Sequence, residues 1–434
     1  MKSYIMSSVN FLYVFLFLYA CSPVSHRNLT KTFTQAEKKF QDHIGFMLYD
    51  PVLKKDCYQF NADKYFIPAS NTKILTFYAS LKIMGDSIPA LRFVTSGDSL
   101  IFWGTGDPSF LYKNIFNNNR VFDFFKSRNE HLYFSPSNFG DKHFGRGWAW
   151  DDYSDSYSPE KYSLPIYGNI LSAHETNQGI AVTPSFFNNI VITTFSQQKK
   201  STVKRRLTSN QLEYSQGSEI KKTPWDIPFS VDSLLIASLL QDTLKKPVSL
   251  ISKPIPSTTN TLFSLPTDSL YKIMMQQSDN FIAEQLLLTC AGIVSDTLKT
   301  EIAIKYVQKN YFQDLTDKPV WVDGSGLSRY NLFTPRSIVQ VWEKIYNELA
   351  RKRLFDILAV GGKSGTLKNS YAAETPYIFG KTGTLSNNHN LSGYLVTRRG
   401  RVLIFSFMNN NHPASAREVR KNMETILASI RDNY

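Results

Sequence analysis

Apolar residues recur at helical spacing after Ser70, at Ile74, Phe77, Tyr78, Leu81 and Met84. The pattern predicts an amphipathic helix that Gly85 and Pro89 end. A second such stripe, Val419, Met423, Ile426, Leu427 and Ile430, predicts a C-terminal helix able to cover a sheet. Strand-like runs stand at Ile44 to Tyr49 and Cys57 to Phe60 on either side of Asp50-Pro51. A further pair, Leu391 to Val396 and Val402 to Met408, is joined by Thr397 to Arg401 and reads as a hairpin. Between Leu270 and Leu288 two apolar helical stretches flank a polar break, Ser278-Asp279-Asn280, which favours a turn. Val231 to Leu240 and Val248 to Ile251 read as a helix and a strand, and the polar run Gln197 to Lys222 as a loop or hairpin. The outer parts of the chain thus supply one sheet-plus-helix unit.

Three short words fall on these elements. Ser70-Asn71-Thr72-Lys73 opens the first helix, and residues three apart share a helix face, so Ser70 and Lys73 project side by side. A serine hydroxyl needs a neighbouring base, and a lysine can be that base only when burial or a second cation lowers its pKa. In the second word, the Ser278 hydroxyl can relay a proton and the Asn280 carboxamide can hold a substrate amide. The third word, Lys381-Thr382-Gly383, precedes the hairpin, placing Lys381 and Thr382 on a neighbouring edge strand whose glycines admit a substrate backbone. A look-alike, Lys363-Ser364-Gly365-Thr366, lies 18 residues before Lys381. No strand pairing is in prospect after it, so Lys381 is the expected site lysine.

S-x-x-K, S-D-N and K-T-G in this order form the word set of β-lactamases and penicillin-binding proteins. Further stretches sharpen the likeness: Gly104 to Pro108, Gly147-Trp-Ala-Trp-Asp-Asp152, Asn280 to Glu284, Asp323 to Arg329 with Thr334-Pro335, and Leu391 to Tyr394. From about residue 35 to its end the chain resembles D-alanyl-D-alanine carboxypeptidases/endopeptidases of the penicillin-binding protein 4 type. The resemblance implies an α/β fold, a β-lactamase/transpeptidase-like domain of antiparallel sheet and helices, split by a long inserted accessory region. It implies a catalytic domain at about 40–88 and 258–434 around an insertion at about 89–257. The 207 residues between Ser70 and Ser278 exceed the spacing of class A β-lactamases and argue against that alternative. The other alternative is a catalytically idle penicillin-binding or sensor protein, which the three intact words disfavour.

The implied roles follow the family. Ser70 is the nucleophile and Lys73 its base. Ser278 relays a proton to the leaving amine, and Lys381 keeps Lys73 from holding its proton too tightly. Asn280 orients the peptide, the Thr382 and Thr384 hydroxyls with the Lys381 charge hold the terminal carboxylate beside the substrate-binding Gly383, and the Ser70 and Thr384 N–H groups are the oxyanion donors. Asp152 is expected to reach over the cleft to a cationic group on the peptide. The partners implied are peptidoglycan peptides and β-lactams.

Composition narrows the setting. With 42% hydrophobic and 20% charged residues the chain is globular. Forty-nine basic against 36 acidic residues give a net charge of +13, which suits anionic envelope polymers or a merely solvated basic surface. Nucleic acid is not expected, because no zinc-finger spacing, RNA-recognition word or compact Lys/Arg run dominates. His26, His43, His131, His143, His174, His389 and His412 form no ligand spacing, so neither metal nor cofactor is implied. Lys2 precedes an apolar run, Phe11 to Ala20, suited to a signal peptide, and Leu18-Tyr19-Ala20-Cys21 resembles a lipoprotein cleavage box. Residues 1–21 are therefore expected as a leader with lipidation at Cys21, and 22–40 as a tether. The protein would then sit in the periplasm, anchored to an envelope membrane. Cys57 and Cys290 are expected as isolated thiols.

Overall fold

The computed structural model describes residues 26–434 except 113, 114, 178 and 220. Cys21 and the expected leader lie outside the described residues. From His26 to Phe40 the expected tether is instead a helix, a correction with a clear cause. Leu29, Phe33, Ala36 and Phe40 recur on one face and are buried against the main sheet.

That sheet has six strands, in spatial order Ala359–Val360, Ile378–Leu385, Asn388–Val396, Val402–Asn410, His43–Asp50 and Lys55–Phe60. All neighbours are antiparallel, and the expected hairpin closes with Val396 opposite Val402. Alternate residues point to opposite faces of a strand, and here both faces are covered. Ile44, Phe46, Leu48, Phe405 and Phe407 meet the His26–Phe40 and Ala416–Asn433 helices. Met47, Tyr394 and Ile404 face a helical core that includes Phe77, Leu286, Ile338 and Trp342.

The Ser70 helix lies inside that second core. It runs Lys73–Ile83, and every residue from Lys73 to Ser80 is buried, so the amphipathic expectation is also corrected. Its polar residues are satisfied internally: Thr76 donates to the Gly324 carbonyl at 2.7 Å and Ser80 to the Thr76 carbonyl at 2.9 Å.

The long segment between the first two words leaves and rejoins this unit through paired strands, Ser87–Ser96 and Asn260–Pro266. They belong to a five-stranded sheet, and two three-stranded sheets complete the insertion. The expected helix appears at Ser233–Leu244 and the expected strand at Val248–Leu250. The polar run contains an antiparallel pair, Thr202–Arg205 with Leu212–Gln216. The insertion has its own core, built around Phe102, Phe125, Leu171 and Leu239.

Candidate active site

Ser70 sits in a one-turn 3-10 helix, Ala69–Thr72, that runs into Lys73–Ile83. Ala69 adopts φ +49°, a left-handed conformation rare for a residue with a side chain. Its carbonyl is held by the Thr72 hydroxyl at 2.9 Å. Gly326 packs against the same carbonyl, where a Cβ would lie only 1.9 Å from the oxygen. The nucleophile turn is thereby clamped from the Asp323–Arg329 loop.

Lys73 is fully buried, and its Nζ donates to Ser70 Oγ at 2.9 Å, Asn280 Oδ1 at 2.6 Å and the Ser325 carbonyl at 2.7 Å. Asp279 caps the next helix, Asn280–Ser295, by accepting from the Ile282 N–H at 2.8 Å. This cap fixes Asn280 at the first helical position, facing Lys73. Ser278, at φ +64°, turns the other way and accepts from Lys381 Nζ at 2.8 Å. Hydrogen bonds thus join the first word to the second, from Ser70 through Lys73 to Asn280, and the second to the third, from Lys381 to Ser278.

Lys381 comes from the Ile378–Leu385 strand. This strand is one from the edge, since Ala359 and Val360 pair with Gly380 and Phe379. From Lys381 onward it pairs, among the described residues, with Asn388–Val396 alone, which leaves the other side for a substrate backbone. Gly383 is needed for closeness: a Cβ there would stand 2.5 Å from the Pro68 carbonyl and 3.0 Å from the Ser70 nitrogen. Lys363 of the look-alike word is exposed on a loop. The word is not idle, because Thr382 donates its hydroxyl to Thr366 at 2.7 Å. Thr384 hydrogen bonds through its hydroxyl with His389 Nδ1 at 2.8 Å.

Burial dominates the electrostatics. It pushes the Lys73 ammonium down to about 8, against the raising effect of the Asp323, Glu284 and Asp279 carboxylates. Lys381, also fully buried, is pushed well below the usual lysine range by burial and then by the Lys73 cation. Burial is thus the first cause at Lys73, and the repulsion between the two ammonium groups is expressed at Lys381. Glu284 is raised by burial and by Asp323, while its Oε1 accepts from the Ser325 N–H at 2.7 Å.

A cleft of about 650 Å³ opens over these groups, lined by Ser70, Ser278, Asn280 and Thr384 together with Asp151, Asp152, Tyr157 and Arg329. Asp152 is therefore at the cleft, on a turn at Trp150–Ser154, and accepts from the Tyr157 hydroxyl at 2.8 Å. The Tyr157 carbonyl in turn accepts from Asn280 Nδ2 at 2.9 Å. One of the two Asn280 donors expected for substrate is thus engaged by the insertion.

A family model described as the D-Ala-D-Ala carboxypeptidase 3 (S13) family matches residues 26–430. The chain belongs to this family. Among relatives of this chain is a D-alanyl-D-alanine carboxypeptidase, DacB, of Haemophilus influenzae, 23% identical over 442 residues and covering 90% of each chain. The solved penicillin-binding protein 4 of the same organism shares the fold at TM-score 0.74 and 20% identity, over 92% of this chain and 98% of that one. It has also been solved with a β-lactam. A predatory peptidoglycan endopeptidase from Bdellovibrio bacteriovorus shares the fold at TM-score 0.52 and 15% identity, covering 90% of this chain and 92% of that one.

Several residues of this site carry no role assigned from the sequence. Ser325 and Asp323 belong to a stretch already noted as family-like. The Asp323 carboxylate accepts from Gly326 N–H, Ser328 N–H, Asn331 Nδ2 and Trp148 Nε1, so it ties the Ser325 loop to the Gly147–Asp152 stretch. Tyr157 acts through its carbonyl, which no side-chain pattern announces. Thr366 lies within the look-alike word and His389 in no ligand spacing, so neither has a sequence signal of its own. Cys57 and Cys290 are both free.

Proposed function

We propose that this chain cleaves the terminal D-alanyl-D-alanine bond of peptidoglycan stem peptides through an acyl-enzyme on Ser70, and that penicillins acylate the same oxygen. The observation that carries this reading is the single lysine Nζ shared between Ser70 Oγ and Asn280 Oδ1, two residues that line the cleft. Neutral Lys73 takes the Ser70 proton as the oxygen attacks the penultimate D-alanine carbonyl. The carbon–nitrogen bond breaks, and the leaving amine receives the Lys73 proton by way of the Ser278 hydroxyl. Water then hydrolyses the ester.

The developing oxyanion is held by the Ser70 and Thr384 N–H groups, donors fixed before reaction. The nearness of the Gly383 backbone to the Ser70 nitrogen supports this placement. Lys381, Thr382 and Thr384 take the terminal carboxylate. Asn280 orients the peptide with its remaining amide proton, and Asp152 meets a cationic group farther along the stem. Cys21 carries lipid and holds the protein on the periplasmic side of an envelope membrane, a reading supported by the Leu18 to Cys21 box.

Purified protein incubated with a pentapeptide stem or cross-linked muropeptides, and separately with penicillin, tests the reading. The expected outcome is D-alanine release or cross-link cleavage faster than penicillin turnover. Rapid penicillin hydrolysis with no action on muropeptides would assign the site to a β-lactamase, and labelling with no turnover to an idle binder.

A further inference from the structure

Thr384 reaches the cleft with one hydroxyl, and a hydroxyl has one proton to give. His389 stands opposite it across the strand pair, buried, with Nδ1 at 2.8 Å from Thr384 Oγ1. Which of the two atoms donates decides what the cleft sees. If Thr384 gives its proton to the imidazole, only oxygen lone pairs face an incoming carboxylate, and the contact is repulsive. If the imidazole donates, the Thr384 proton is free for the carboxylate.

The surroundings favour the second arrangement. His389 Nε2 is buried without a hydrogen-bond partner among the described residues. Burial, then the Arg420 guanidinium and His412, push its pKa down to about 3, so the ring is neutral and carries a single proton. On the unpartnered Nε2 a proton would leave a buried donor unsatisfied, which costs free energy. The proton then belongs on Nδ1, where an acceptor lies within hydrogen-bond distance.

We propose that His389 is a positioning residue for the substrate carboxylate: its Nδ1–H donates to Thr384 Oγ1 and so turns the Thr384 proton into the cleft. The inference rests on the carboxylate subsite proposed above. It extends that subsite beyond the Lys381-Thr382-Gly383 word to a side chain that never touches substrate.

Two measurements test it. Nitrogen-15 imidazole spectra of the native protein, with the His389 signals assigned by their loss in His389→Asn, should show the Nδ1–H tautomer. An Nε2–H tautomer would overturn the proposal, whatever the variants do. Kinetics on a D-alanyl-D-alanine peptide and on its terminal carboxamide supply the second arm. Thr384→Val and His389→Leu should each raise KM for the acid about tenfold with kcat little changed, on the scale of one hydrogen bond to a charged group. The double variant should be no worse than either single one, the carboxamide, whose oxygen accepts a weaker hydrogen bond, should lose less than the acid, and His389→Asn should recover most of the loss. A folded His389→Leu protein with native KM, or losses that add to those of Thr384→Val, would overturn the proposal. A native KM in Thr384→Val would instead remove the carboxylate role of Thr384, and this inference with it.

Discussion

Lys73 holds three acceptors with one ammonium, so its resting form is saturated and must surrender a proton before it can serve as a base. Burial makes that surrender inexpensive by bringing the pKa to about 8. Below the pKa the unprotonated fraction falls tenfold for each pH unit, and above it the fraction saturates. Acylation by a labelled penicillin should therefore rise with pH and level off above about 8. Rates that stay flat from about pH 6 to about pH 9 would show that Lys73 is not the base. At this scale the sequence was informative about identities and weak about environment. Ser70, Lys73, Ser278, Asn280 and Lys381 could be named from their words. That Lys73 and Lys381 have no exposed surface, or that Asn280 spends a donor on the Tyr157 carbonyl, depends on contacts far apart in the chain.

Two lysines carry the same local word, and the elements that bear them separate their roles. Lys381 lies on a strand whose next glycine packs against the nucleophile turn, whereas Lys363 is exposed on a loop after a two-residue strand. Lys381→Ala should reduce penicillin acylation by about 10²-fold or more, the scale of a lost transition-state contact. Lys363→Ala should stay within a few-fold of native in the same assay. The reverse ranking would mean that the third word has been placed wrongly. Periodicity located the hairpin and the C-terminal helix because each shows one face to the core. It misjudged the Lys73–Ile83 helix, where small and hydroxylated residues on the other face are buried too, bonded to backbone carbonyls. It missed the His26–Phe40 helix because Thr and Lys outnumber the four apolar residues that dock it.

In the whole molecule the insertion is part of the site's construction as well as a separate core. Gln285, buried one turn beyond Asn280, accepts from the Tyr162 N–H and donates to the carbonyls of Tyr162 and Gly106. Together with the Asn280–Tyr157 bond, these contacts stitch the insertion to the helix that carries the second word. The sequence revealed the insertion by its length alone, and such stitching has no local signature. Location is a property of the same scale. Cys21→Ser should move the protein from the membrane to the soluble fraction, and native protein should carry lipid mass on its N-terminal peptide. Native and Cys21→Ser protein recovered in one soluble fraction, with no lipid mass, would remove the anchor.

The nucleophile is the claim on which the mechanism depends, and one labelling experiment reaches it. Protein incubated with a fluorescent penicillin, denatured and cut into peptides should carry the label on Ser70, with none on a folded Ser70→Ala variant. Undiminished label on that variant, or label mapped to another residue, would contradict the account.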